Sequence, residues 1–266
     1  HLAALGRRAE VLTRVGRDAR GRAAAALLRR LGVGLRHLQL DPVHETGWAR
    51  VELDAVGVPA YRFARRPAYD FIELPPGLVD DMARNPPCAV VFGTLAQRGQ
   101  TTRRSLARLL RALPRGVWTV FDVNLRRGFA PPDLLRRCLR RSRIVKLNED
   151  EARRLGERLW GRPLPDDQLV RRLRREFGVG IVLLTRGAAG VSVYADGRRH
   201  NLAGRRVRVI DTVGAGDAFT AAFLAHFLRT GNAVEAARRG NLLGAWVAGR
   251  PGAVPPLDNA IRATLT

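Results

Sequence analysis

The chain is poor in the residues that build several familiar chemistries. Cysteine occurs twice in 266 residues, at Cys88 and Cys138, with no CxxC spacing. That argues against a disulfide framework and a thiolate zinc site, and reduced thiols in a cytoplasmic compartment are the expectation. The five histidines show no HExxH or other paired-ligand spacing, so a histidine zinc centre is not expected either. Apolar runs are too short to cross a bilayer: Ala218–Leu228, among the longest, is interrupted by Thr220 and His226. No signal-peptide pattern is read at the start, and no membrane partner is expected.

Lysine is scarcer still. Lys146 is the only one, so all the other basic residues among the 47 Lys and Arg are arginine. A GK[ST] sequence is absent, which excludes a Walker A loop. Against 24 acidic residues the balance is a net charge of +23, a value that fits nucleic-acid binding. The arginines, however, are spread through every expected helix rather than gathered in one tract, and no nucleic-acid motif accompanies them. The bias reads as genome composition. Salt-sensitive, non-specific binding is expected, with no specific nucleic-acid partner.

What the chain does contain is centred on Val207–Leu228, VRVIDTVGAGDAFTAAFLAHFL. Val207, Val209 and Ile210 read as a short β-branched strand, Asp211 to Asp217 as a turn of small residues, and Ala218 to Leu228 as a helix. Phe219, Phe223 and Phe227 recur on one face of that helix. A strand, a Gly-Ala-Gly turn and a helix start in succession put several backbone N–H groups at a positive dipole end, where glycine lets an anion approach. Asp217 sits beside those donors, placed to accept a proton from an attacking hydroxyl. The plainer reading is a tight turn with Asp217 capping the helix. Residue types alone leave both open.

DTVGAGDAFTAAFL resembles the C-terminal signature of the ribokinase-like (PfkB) sugar kinases. The resemblance implies that Asp217 is the catalytic base and that the amides of Gly214, Ala215 and Gly216 form the anion hole. It also implies that Asp211 and the loop at Gly252 help hold a monovalent cation such as K+. HLAALG followed by RVGRDARG is similar to the tail of the family's N-terminal signature, with Gly6 and Gly16 at its spacing. The front of that signature, with a sugar-binding Asp and a Gly-Gly turn in relatives, does not precede it. An N-terminally truncated kinase with weak or absent activity is therefore the expectation.

The fold implied is α/β, a ribokinase-like three-layer fold: a mostly parallel central sheet with helices on both faces, plus a small β lid. Residues 1–36 and 67–266 would form the kinase domain and 37–66 the lid. The alternation of Trp48–Asp54 and Pro59–Phe63 around Val56–Val58 reads as a hairpin with one wet face. Relatives use such a lid to cover the sugar and often to pair subunits, so a homodimer through it is expected. Thr46, Trp48 and Glu52 read individually as exposed strand residues. Residues 11–15 read as a strand, Gly16–Gly21 as a turn and Arg22–Leu31 as a helix. From Cys88 the chain becomes regularly βα: strands at 88–94, 117–124, 144–148 and 180–185 alternate with helices at 101–113, 132–141, 149–155 and 167–177. Ligands then belong beyond the C-terminal strand ends.

The polar residues fall at those ends. Gly93 and Thr94 resemble the Gly-Ser/Thr that faces the sugar in fructokinases. Asp122-Val-Asn124-Leu-Arg126 resembles a sugar-contacting segment of fructokinases and 2-keto-3-deoxygluconate kinases, with Asn124 and Arg126 as contacts; Arg127-Gly128-Phe129 departs from what usually follows. In KLNEDE, Asn148 and Glu151 match the N-x-x-E that lies near Mg2+ and phosphate, with Glu151 acting on the metal largely through water. Acidic residues at a helix start are equally ordinary capping chemistry. ATP contacts are expected from Lys146, Asn148, Thr185, Gly187, Gly190, Gly214, Gly216 and Asn241, with Gly244 beside the adenine. His226, on the apolar face of its helix, reads as a core histidine. The implied reaction is transfer of the ATP γ-phosphoryl to a primary hydroxyl of a ketose, fructose first. The alternatives are 2-keto-3-deoxygluconate or ribose as acceptor, or a non-catalytic sugar- or nucleotide-binding relic.

Overall fold

The structure, a computed structural model, describes residues 1–53, 59–125 and 130–265. In chain order these form β1 (Glu10–Gly16), α1 (Ala19–Arg30), β2 (Gly34–Asp41), β3 (Ala49–Leu53), β4 (Pro59–Phe63), α2 (Leu78–Arg84), β5 (Ala89–Phe92) and α3 (Gln100–Ala112). There follow β6 (Trp118–Asp122), α4 (Pro132–Leu139), β7 (Ile144–Asn148), α5 (Glu149–Trp160), α6 (Asp166–Phe177), β8 (Ile181–Thr185), β9 (Val191–Ala195) and β10 (Arg198–Leu202). Three helices close the chain: α7 (Ala215–Thr230), α8 (Ala233–Ala248) and α9 (Asn259–Leu265). They fall into two compact units, one of His1–Arg7, Pro86–Leu95 and Arg115–Thr266, the other of Arg8–Asn85 and Ala96–Pro114.

In the second unit β1 and β2 pair in parallel through the crossover helix α1. Asp18 caps α1 by accepting the Gly21 N–H at 2.7 Å, so the helix starts at Ala19, inside the turn expected over Gly16–Gly21. The same carboxylate accepts the Thr46 N–H and hydroxyl, each at 2.7 Å, and Thr46 is buried rather than exposed. The expected boundary at 36/37 falls inside β2, because residues 34–41 pair with β1. The hairpin itself is β3 with β4, antiparallel from Ala49↔Phe63 to Leu53↔Pro59. Its turn at Val56–Val58 and the side chain of Glu52 lie outside the described residues.

In the first unit six strands form one sheet in the order β10-β9-β8-β7-β6-β5. Strands β5 to β8 are parallel, and β9 and β10 turn back antiparallel. Strand periodicity places Val120, Ile144 and Leu183 on one face, where they meet Phe219, Phe223 and Phe227 of α7 and Ala236 and Ala237 of α8. Those phenylalanines stack at centroid distances of 6.4 and 5.3 Å, as i, i+4 spacing requires. Every residue of α7 from Ala218 to Phe227 is buried, His226 included; burial, then the charges of Arg239 and Arg229, hold its imidazole below the usual range. Val145, Leu147, Val182 and Leu184 point to the opposite face, where α5 packs on β7 and β8 beside α4 and α6.

One expected element does not form. Residues 207–210 make no strand, and Val207, Val209 and Ile210 are exposed. Their β-branched character suits a sheet, but among the described residues the segment pairs with no strand. The segment is tied instead to α8, whose Ala248 carbonyl accepts the N–H groups of Ile210 and Asp211.

Candidate active site

The parallel strands deliver their last residues to one edge. Register pairs Phe92 with Phe121, Asp122 with Lys146, and Asn148 with Thr185. The loops carrying Gly93, Asn124, Asn148 and Thr185 therefore leave the sheet together, where α/β proteins bind ligands.

The start of α7 belongs to this first unit and has an unusual cap. Gly214, at φ 82°, is the N-cap and offers no side chain. A Cβ at 214 would run into the Ala253 carbonyl, so glycine is needed for both conformation and space. The N–H of Ala215 donates to the Thr212 carbonyl at 3.2 Å, which removes one of the three amides expected in the anion hole. Among the described residues the N–H groups of Gly216 and Asp217 have no acceptor. Asp217, in the first turn, is exposed. The turn before it is braced by Asp211, whose carboxylate accepts the Val213 N–H at 2.9 Å and the Gly252 N–H at 3.2 Å. Asp211 and Gly252 are thus together as expected, although Gly252 contributes its N–H.

Beneath this turn lies a polar cluster that the face alternation explains. Asp122 follows Val120, and Lys146 follows Ile144, on the face that meets α7. Lys146 Nζ stands 3.1 Å from both Asp122 carboxylate oxygens. The Thr220 hydroxyl is 3.3 Å from Asp122 Oδ2 and 3.1 Å from the Gly216 carbonyl. Burial pushes the Asp122 carboxyl up to about 6; Lys146 counteracts it, and the charges of Glu151 and Asp217 add to it. Lys146, expected at the nucleotide, is therefore buried in an ion pair, because its strand position points it under α7.

A further expectation is corrected by burial. Thr94 is fully buried, with its hydroxyl 3.0 Å from the carbonyls of both Val123 and Asn124. It braces the next loop and has no surface to offer a sugar. Asn124 takes φ 39°, rare for a non-glycine residue, and its neighbour Leu125 donates its N–H to Glu151 at 3.1 Å. Glu151 is buried, and its other oxygen accepts the Asn148 N–H at 2.9 Å while Asn148 accepts the Glu151 N–H at 2.9 Å. This is a complete capping box for α5. Arg126 lies outside the described residues.

Thr185, Gly187 and Gly190 form the tight connection between β8 and β9. Gly190 is buried, with a Cβ position occupied by the Leu202 carbonyl. Asn241 donates its side-chain N–H to Ala203 at 3.3 Å, tying α8 to the segment after β10. Past that tie, a groove of about 630 Å³ runs between Arg205–Arg208 and α8, lined also by Leu242, Trp246 and Arg250. Sequence reasoning did not single it out.

Residues 1–260 match the pfkB family carbohydrate kinase. The chain belongs to this family. It is 31% identical over 242 residues to the fructokinase of Escherichia coli, covering 86% of this chain and 74% of that enzyme. The fructokinase of Vibrio cholerae O395, solved in its fructose, ADP and calcium ion bound form, is 25% identical with a TM-score of 0.80, over 99% of this chain and 87% of that one. A double mutant of the same enzyme, in its fructose, ADP and potassium ion bound form, superposes with a TM-score of 0.82 at 25% identity, over 99% and 86%. A PfkB carbohydrate kinase is a phosphotransferase acting on a sugar hydroxyl, and the Gly-Ala-Gly-Asp start of α7 sits where an anion can be held. Sequence reasoning missed Asp122 and Thr220. The available signal was a pair of opposite charges in the otherwise apolar runs VWTVFDV and IVKL.

Proposed function

We propose that this PfkB kinase phosphorylates a primary hydroxyl of a ketose with ATP, and that fructose is the acceptor. The reading is supported above all by Asp217, exposed in the first turn of α7 beside two open amides. There it takes the proton of the attacking hydroxyl, while the amides and the helix dipole stabilise charge on the transferred phosphoryl group. Asn124 and Arg126 orient the sugar, and Gly93 lets it approach. Asn148, Thr185, Gly187 and Gly190 flank the phosphates. The base of ATP lies along α8 near Asn241 and Gly244, in or beside the groove of Val207 and Trp246.

No cluster of three metal-ligating side chains exists among the described residues. This fits a divalent ion that arrives on the nucleotide and keeps its waters, such as Mg2+, with Glu151 acting through water. Bound there, the ion would neutralise phosphate charge. Asp211, beside the Gly252 loop, is the anionic group available to a monovalent cation such as K+, with main-chain carbonyls as further donors. Pairing of two copies through the β3–β4 hairpin belongs to the same reading.

A sugar panel with coupled ADP detection tests the proposal. Fructose-dependent ADP release is expected, falling on the order of a hundredfold or more in Asp217→Asn with ATP affinity kept. Unchanged turnover in that variant, or no release with any sugar, would contradict it.

A further inference from the structure

We infer that Lys146 and Asp122 are positioning residues: a buried ion pair that pins the first turn of α7 to the ends of β6 and β7 and sets a fixed cation behind the phosphate-binding amides. The inference rests on the reading of that turn as the phosphate site.

The composition first sets Lys146 apart. Wherever else this chain carries a basic side chain it is arginine. A guanidinium is a wide planar fork, whereas an ammonium is a compact point charge. The single lysine stands close against the backbone of α7, where a compact group is well suited. Lys146 is 8% exposed, and its Nζ faces the Cα of Gly216 so closely that a Cβ there would stand 2.9 Å away. Gly216 lies within α7 and is not among the residues of positive φ. Backbone conformation therefore does not demand glycine at 216; a Cβ there would require the ammonium beneath it to shift.

The contacts then show what the pair does. The attraction between two buried charges repays their desolvation only with good geometry and further hydrogen bonds, and an apolar pair of similar volume is often as stable, so the pair is weak evidence of stability and better explained by placement. Here both carboxylate oxygens hold the ammonium, and Thr220 links the Asp122 carboxylate to the Gly216 carbonyl. One turn of helix is thereby tied to two strands at the residue whose N–H is left open. A fixed charge in a poorly solvated site also acts more strongly than in water on the charge that develops as the phosphoryl group is transferred, an effect read in kcat rather than in the ATP Kd.

Three variants test this: Lys146→Arg, Lys146→Met and the double variant Asp122→Asn/Lys146→Met. The double variant leaves no unpaired buried charge, so it keeps the inference testable if Lys146→Met fails to fold. Thermal melts monitor folding, calorimetry gives the ATP Kd, and coupled ADP release gives kcat. In the double variant kcat is expected to fall about a hundredfold, as misplacement of a reacting group commonly costs, with the ATP Kd within about twofold. Lys146→Arg should fold without restoring kcat, because the larger group displaces Gly216. A double variant with undiminished kcat, or a tenfold weaker Kd at unchanged kcat, overturns the inference; the second result would make Lys146 a nucleotide contact. Hydrogen exchange reads the pair without turnover. The hydrogen-bonded amides of Ala215 and Ala218 should exchange about tenfold faster in the double variant while that of Glu151 does not change, and equal exchange overturns the inference even if the parent protein phosphorylates no sugar. Absence of turnover in the parent protein alone bears on the proposed function instead.

Discussion

Two helices begin near the same sheet edge and treat their first amides in opposite ways. At the start of α5, Asn148 and Glu151 satisfy each other's backbone N–H groups, and Glu149, Asp150 and Glu151 crowd the first turn with negative charge. At the start of α7 a glycine caps the helix, no side chain answers the amides, and Asp217 is the only acid in the turn. Beneath that second turn lies an ammonium. A helix N-terminus is an anion site only where its donors have been left unpaired. The first of these ends is closed by its own residues, and the second is kept open.

The contrast can be broken at the open end first. Asp217→Asn should lower turnover on the order of a hundredfold or more with little change in Tm, because the side chain is exposed; steady-state kinetics beside a thermal melt check both. Next comes pH. The Asp122 carboxyl, raised to about 6 by burial, holds a proton between about pH 4 and 6 that the unfolded chain has released. The native state binds more protons in that window, so this group's contribution to stability declines as pH rises through it, by at most about 1.4 kcal/mol per pH unit. His226, held below its usual range, contributes a slope of the opposite sign at about pH 6, so the test is the difference between urea melts of the parent protein and of Asp122→Asn/Lys146→Met from pH 4 to 7. Identical pH profiles for the two would count against the buried pair.

Smaller effects sharpen the comparison at the two caps. Gly214→Ala forces a side chain into left-handed backbone and against Ala253. It should cost about 1–2 kcal/mol from conformation alone, measured by urea unfolding, and weaken ATP binding. Asn148→Ala removes half of the α5 capping box and should cost about 1 kcal/mol. If Gly214→Ala were the milder of the two, the open cap would be less constrained than the structure shows.

The sequence was most legible where one rule sufficed. Strands 89–92, 118–122, 144–148 and 181–185 are buried parallel strands, so their apolar runs stood out between helices. The capping box at Asn148 and the phenylalanine face of α7 were local patterns, and both appear in the structure. Legibility failed wherever the answer lay in a neighbour. Val207–Ile210 has strand-forming residues but no partner strand. Thr94 was expected at the sugar from the resemblance to fructokinases, yet it is fully buried with its hydroxyl on the loop after β6. Lys146 and Asp122 are 24 positions apart, and only the β6–β7 register sets them side by side. Sheet order is a property of the fold rather than of a local pattern, so this pair could not be read from spacing.

The most direct test is an amide titration of the isotopically labelled protein with ATP or a non-hydrolysable analogue. The amides of Gly216 and Asp217 should shift on binding, while the amide of Glu151, already donating to Asn148, should stay in place. Shifts at Glu151 with none at Gly216 or Asp217 would contradict the open-cap account.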